Sequence, residues 1–297
     1  MTLPRSISRL LQDPPPALAF EISEAGVAVA RIGKKAEIAF QPLKPGALSV
    51  SPLHDNVLMP EELAAAVRAL APPNGSRKRR DAVLILPEFC ARTAVIDFDE
   101  FPADPKEQLS LVRFRMKRSV PFDIETAAVS YWPQSAGGKK FDVVVAVSPF
   151  EIIARYEAPF RAAGMNPGLV TTSALAALQL VNEPGIAVIA KLNGNVLSML
   201  VTAQGAVKLV RSLELPSRSL EDIVGDLYPT FVFVEDNLAA PAQKLLLCGF
   251  GDLTVTAQDR FRRELGVDVD LVRGPSGAAE ETDAGLLGYL HGLGVLQ

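Results

Sequence analysis

The side chains that most often carry chemistry are scarce in this chain. It has two cysteines, Cys90 and Cys248, and two histidines, His54 and His291. These four match no Cys/His metal spacing, and two thiols build no disulfide framework. A Ser-His-Asp arrangement would have to use His54 or His291. Each lies in a turn-like or terminal stretch with no nucleophile elbow nearby. No catalytic residue and no metal-binding set is assigned. Two basic runs stand out instead, Arg77-Lys78-Arg79-Arg80 and the group Arg113, Arg115, Lys117 and Arg118. Neither has the aromatic interleaving that single-stranded nucleic acid requires. The net charge of −4 gives no general basic footprint, so no nucleic-acid partner is expected.

A length of 297 residues corresponds to roughly two domains of ordinary size. With 48% hydrophobic and 22% charged residues, the composition is that of a folded globular protein. The N-terminus has no apolar core of signal-peptide length, because Asp13 and Pro14-Pro15-Pro16 interrupt it. Nowhere does an apolar run reach the roughly 20 residues of a spanning helix, and a cytoplasmic location is expected. Residues 4–12 have the pattern of a short amphipathic helix in an N-terminal arm covering residues 1–16.

The elements that must position any site follow from periodicity and turn signals. Ala17 to Ile32 alternates as two strands joined at Glu24-Ala25-Gly26, and Glu37 to Leu43 continues as a third. Pro60-Glu61-Glu62 opens an amphipathic helix, and Asp81 to Pro87 is a short apolar strand. A strand at Thr93–Phe98, a helix from Asp104 and a hairpin spanning Ala127–Trp132 and Phe141–Ser148 come next. A helix then runs from Pro149 to Ala163. Thr171-Thr172-Ser173 supplies N-cap candidates for a further helix. A second meander begins at Gly185, with its turn at Asn193-Gly194-Asn195. One helix is expected over Leu220 to about Asn237, kinked or interrupted at Pro229. A strand at Lys244–Cys248, a helix to Leu265, a strand at Val267–Val272 and a helix over Glu280–Leu293 complete the chain. The order is a pseudo-duplicated α/β arrangement with a module inserted in the first half.

Several stretches resemble the PilM family of type IV pilus assembly proteins, relatives of FtsA and of the cytoplasmic domain of the secretion protein GspL. They are Ala82 to Pro87 (AVLILP), the acidic proline-bearing turn over Asp97–Asp104, and the helix end Val120-Pro121-Phe122. Further along come Gly164-Met165-Asn166-Pro167, Ser173-Ala174-Leu175-Ala176-Ala177, Gly249-Phe250-Gly251, and Ala284 to Tyr289. The resemblance covers nearly the whole chain in order. It implies an α/β, actin-like (ribonuclease H-like) fold of duplicated domains over residues 17–184 and 185–297. An α+β subdomain is inserted at about 88–148, and a shortened second-half insertion lies at about 216–243.

Proteins of that fold hold ATP phosphates between two hairpin turns and Mg²⁺ through acids. The stretches similar to those turns depart from the family pattern. Where Asp-x-Gly is expected, the first turn has Glu21 and Ser23, and Ala28 falls where a Lys is expected. Glu24 adds negative charge there. The second turn reads Lys191-Leu192-Asn193, with a base in place of the acidic metal partner. Gly249 and Gly251 are kept, but Phe250 between them is expected to intrude on the sugar and α-phosphate. The subdomain that would close over adenine has room for only about one helix. The resemblance thus makes Glu21, Ser23, Lys191, Asn193, Gly249 and Gly251 a degenerate nucleotide site. No resident cofactor is expected, and ATP with Mg²⁺ is the alternative, with Lys191 as a direct phosphate ligand.

It also implies a scaffold that binds the cytoplasmic N-terminal peptide of a PilN-like inner-membrane protein, in a groove between the first domain and the insertion. Leu111, Phe114, Val120, Pro121 and Phe122 are the apolar candidates for that groove. A homo-oligomer is compatible with the reading. The location implied is the cytoplasmic face of the inner membrane. The basic run on the inserted helix is a solvated face, or it attracts an acidic peptide or anionic lipid.

Overall fold

A computed structural model describes residues 15–33, 36–71, 78–238, 240–275 and 277–295. The expected helix over residues 4–12 and the basic residue Arg77 lie outside the described residues. In chain order the first half contains β1 (Leu18–Ser23), β2 (Gly26–Ile32), β3 (Ala36–Pro42), α1 (Pro60–Leu70) and β4 (Arg80–Leu86). It continues with β5 (Arg92–Phe98), α2 (Pro105–Met116), β6 (Ala127–Gly137), β7 (Lys140–Pro149), α3 (Phe150–Ala162), β8 (Met165–Thr172) and α4 (Ser173–Ala177). The second half has β9 (Ile186–Asn193), β10 (Val196–Ala203), β11 (Ala206–Glu214), α5 (Leu220–Leu238) and β12 (Lys244–Cys248). It ends with α6 (Thr254–Leu265), β13 (Asp268–Leu271), the short pair β14 (Arg273–Gly274) and β15 (Gly277–Ala278), and α7 (Ala284–Gly292).

The duplication read from the sequence is visible in the sheets. One has the order β3-β2-β1-β4-β8 and the other β11-β10-β9-β12-β13, so each is an antiparallel meander extended by two parallel strands. Central strands β1 and β9 are buried nearly end to end, which is why they read as continuous apolar runs. Edge strand β8 carries Pro167 where the ladder shifts register, a position that lacks an N–H without cost at a sheet edge. Between β4 and β8 sits a separate three-stranded sheet, β5-β7-β6, covered by α2.

Each five-stranded sheet has an outer core and an inner one. Phe20, Leu63, Val67, Tyr156 and Phe160 fill the outer side of the first sheet under α1 and α3. Leu197, Ile223, Leu227, Ala257 and Phe261 do the same under α5 and α6. On the inner side α7 packs against α4 with its glycine face. A Cβ on Gly288 would lie 2.1 Å from the Ala176 carbonyl oxygen, and one on Gly285 would lie 2.8 Å from the Ser173 Cα. The insertion also grips the second half. The Gln134 side-chain amide donates to the Val207 carbonyl (2.9 Å) and accepts from its N–H (2.8 Å), and Lys208 pairs with Asp142 at 2.7 Å.

Helix α5 is the one element expected, with Pro229 inside it. One boundary is corrected. The last helix starts at Ala284, because residues before it form the β14–β15 ribbon and the segment leading to Asp283. Thr172 occupies the N-cap of α4 without a side-chain cap bond, and the neighbouring Ser173 hydroxyl is directed to Glu21.

Candidate functional site

Parallel pairing brings the ends of β1, β4, β9 and β12 to one cleft between the two sheets, and the expected nucleotide residues sit at those ends. Glu21 is wholly buried. Its carboxylate accepts the N–H groups of Gly285 (3.2 Å) and Leu286 (2.7 Å) in the first turn of α7, and the Ser173 hydroxyl. A carboxylate at a helix N-terminus complements its unpaired N–H groups and its dipole. Burial raises the Glu21 pKa from 4.5 to about 7, against the opposing pull of Lys191 and of its hydrogen bonds. Ser23 closes its own turn, exchanging hydrogen bonds with the Gly26 carbonyl (3.1 Å) and N–H (3.2 Å).

Lys191 does not face open space. Its ammonium lies 2.7 Å from Glu88, and the two side chains are 1% and 3% exposed. Asn193 donates to the other Glu88 oxygen at 3.3 Å. Burial alone would depress the lysine pKa, but the charges of Glu88, Cys248 and Glu21 outweigh it and hold it above the ordinary value. Glu88 stands in a short 3₁₀ turn, Glu88–Cys90, at the root of the insertion. The ion pair therefore ties the second sheet to the insertion, and it neutralises the cation that the alternative reading assigns to a phosphate.

The two hairpin turns also touch. A Cβ on Gly194 would come within 2.6 Å of a Glu24 carboxylate oxygen, and the Gly194 N–H donates to Glu281 at 3.4 Å. Gly249 adopts a positive φ of 73°, and a Cβ there would lie 2.3 Å from the Leu192 carbonyl oxygen. Its neighbour Phe250 corrects the sequence reading. Rather than intruding on the cleft, the ring is 2% exposed and packs edge-on against Phe261, centroids 5.9 Å apart, in the outer core of the second sheet. What remains beside Gly251 is a cavity of about 470 Å³ lined by Arg218, Gly249, Phe250, Glu280 and Glu281. Burial raises the pKa values of Glu24 and Glu280, and neighbouring carboxylates push them further. Close acids disfavour a polyanion there. Among the described residues no group of three or more His, Cys, Asp or Glu could hold a metal ion.

A second concavity is open and apolar. Cavities of about 550 and 370 Å³ adjoin along β6 and share Ser130, Ala146 and Leu175. Their floor is one face of the β6–β7 hairpin, the cross-strand pairs Ala128–Ser148, Ser130–Ala146 and Trp132–Val144. Small side chains on that face leave the space. The facing wall comes from Phe150 and Ile153 of α3, Val170 of β8 and Leu175 of α4.

The five expected groove residues are not brought together. Leu111, Val120 and Phe122 are half-buried against the insertion's own core, Pro121 is exposed, and Phe114 is 75% exposed on the outer face of α2. Only Phe122 of the five lines one of the described cavities, a third of about 620 Å³ beside His54 and Arg155. The sequence reading missed Glu88, Glu281 and the β6–β7 floor. The small residues Ala128 and Ser130 at alternate positions of β6 were a usable signal for the floor, whereas nothing local marks Glu88 as the partner of Lys191.

Two sheets of the same order, joined at a cleft where hairpin turns and a glycine-flanked strand end converge, define an actin-like ATPase fold, here with an inserted α+β module. No protein-family model matches the chain, and no curated protein sequence does. Among solved structures it is similar to a chain of a PilM-PilN type IV pilus biogenesis complex. The identity is 20% over 95% of this chain and 99% of that one, with a TM-score of 0.77. It is also similar to a Bacteroides thetaiotaomicron protein described as having an actin-like ATPase fold and unknown function, at 13% identity over 91% and 94% of the two chains, TM-score 0.58. The cytoplasmic domain of EpsL, an inner-membrane component of the Vibrio cholerae type II secretion system, matches at 14% identity over 77% and 80%, TM-score 0.49. The fold implied by the PilM-like sequence features is thus the fold observed.

Proposed function

We propose that the chain is a PilM-like scaffold at the cytoplasmic face of an inner membrane, serving a type IV pilus or related secretion platform without hydrolysing ATP. Its groove between the first sheet and the insertion receives the N-terminal cytoplasmic peptide of a PilN-like membrane protein. The observation that carries the reading is the contrast between an open apolar groove of about 550 Å³ and a cleft in which Lys191 is neutralised by Glu88 at 2.7 Å. An apolar groove with few polar groups suits a peptide that contributes apolar side chains. No helix among the described residues is long and apolar enough to cross a membrane.

Isothermal titration of the full chain with the N-terminal peptide of a PilN-like protein encoded beside it tests the claim. Saturable binding that is indifferent to MgATP is expected, and folded protein that ignores the peptide at high concentration would sink it. The alternative, an ATP-binding actin-like ATPase of the same machinery, draws on the cavity beside Gly251. Micromolar MgATP binding that weakens in Lys191→Ala would favour it.

A further inference from the structure

Helix α2 carries a surface that neither the groove nor the cleft uses. Residues 105–121 contain five cations and one carboxylate, Glu107, in a chain whose net charge is negative. Two of the cations are engaged by the fold. Arg113 donates to the carbonyls of Ile124 (2.7 Å) and Ala127 (3.3 Å), and Arg115 lies 3.7 Å from Asp97 and over the Phe98 ring. Lys117 and Arg118 are exposed and form no ion pair among the described residues. One turn earlier on the same face, at i−3 and i−4, stands Phe114, 75% exposed. Favourable interaction with the helix dipole accounts for cations in a last turn. It does not account for a bare aromatic ring beside them.

We propose that this face of the insertion is a docking surface for an anionic lipid bilayer. Phe114 enters the headgroup region while Lys117 and Arg118 meet lipid phosphates. The pairing is that of interfacial membrane contacts, an apolar ring flanked by long cations whose charged heads reach the polar layer. Phe114, Lys117 and Arg118 are all exposed and line none of the four cavities described above, so those cavities give an acidic peptide no walls at this patch, and a bilayer needs none. Two cations and one ring make a weak, reversible contact, suited to orienting a chain already held near the membrane by another attachment. The inference goes beyond the proposed scaffold role and does not depend on peptide binding.

Flotation of the full chain with vesicles tests it, using phosphatidylethanolamine alone and phosphatidylethanolamine with about a third phosphatidylglycerol. Binding is expected only to the anionic vesicles, and raised salt should weaken it. Lys117→Glu combined with Arg118→Glu should lower partitioning at least about tenfold, since each cation near an anionic surface contributes about fivefold. Phe114→Ser should lower it several-fold with the salt dependence kept. All three positions are exposed, and unchanged thermal melting confirms that the variants fold. Phe114→Trp should add a blue-shifted emission on anionic vesicles above the Trp132 background. The proposal is overturned by no binding, by equal binding to both vesicle types, by wild-type binding of the charge-reversed variant, or by capture of a polyglutamate peptide in place of vesicles.

Discussion

The cleft and the groove are built from neighbouring parts of the same chain, yet they solve opposite problems. In the cleft, the charged groups expected at a nucleotide site have partners from the protein itself: Glu21 caps α7 and Lys191 pairs with Glu88, while Gly194 lies against Glu24 and Glu281. In the groove, small residues on β6 and β7 leave apolar space unfilled. The cleft is held by an ion pair between the second sheet and the root of the insertion, whereas the groove beside it stands open. That ion pair sits at the root of the insertion, two residues before Cys90, which lines the groove.

This contrast can be broken at several points. The largest effect is expected for Lys191→Met, which leaves Glu88 buried without a counter-charge. Denaturant unfolding should report a loss of about 3–5 kcal/mol. Adding Glu88→Leu should recover most of it, because a well-packed apolar pair replaces a buried ion pair at little cost. If the single variant is as stable as the wild type, the pair does not lock the cleft. Next in size, Gly288→Ala should cost about 1–3 kcal/mol, since the new methyl collides with the Ala176 backbone where α7 meets α4. Calorimetry would register it as a lowered Tm.

On the groove side, Ala146→Trp should weaken the PilN-like peptide at least about tenfold, or about 1.4 kcal/mol. Lys191→Met with Glu88→Leu should alter that affinity too if the ion pair sets the groove's shape, and titration of both variants separates a blocked groove from a misplaced one. The last prediction is read as a slope. Glu21 has a raised pKa in the folded protein, so its contribution to stability is fully present below about pH 4.5 and is lost as pH rises through about 7. Glu21→Gln, which removes the titration, should therefore gain on the wild type across that interval. Parallel melting curves in the two variants would argue against a buried, ionising Glu21.

Much of the scaffold was legible beforehand. The two meanders, the tight turns at Glu24-Ala25 and Gly194-Asn195 and the proline-started helices α1 and α2 all follow from signals a few residues long. Asp104 caps α2 by accepting the Lys106 N–H at 3.0 Å, as its position ahead of Pro105 suggests. The candidate site was only half legible. Glu21, Lys191 and Gly249 do meet at one cleft, but their tasks there differ from those the family pattern implies. The groove residues were sought on α2 and the segment after it, where Leu111, Val120 and Phe122 pack on the insertion's own core and Phe114 faces outward, while the open face belongs to the hairpin beside it.

By itself the sequence determined the duplicated order of strands and helices, the inserted module, and the scarcity of cysteine and histidine. Those properties depend on composition, on periodicity and on turn residues, all of which act locally. Only the tertiary structure decided that Lys191 belongs to Glu88, that Phe250 turns into the core, and that the carboxyl group of Glu21 caps a helix from the far end of the chain. A buried charge takes its role from whatever opposes it, and its partner is chosen by where strand ends converge, far from it along the chain.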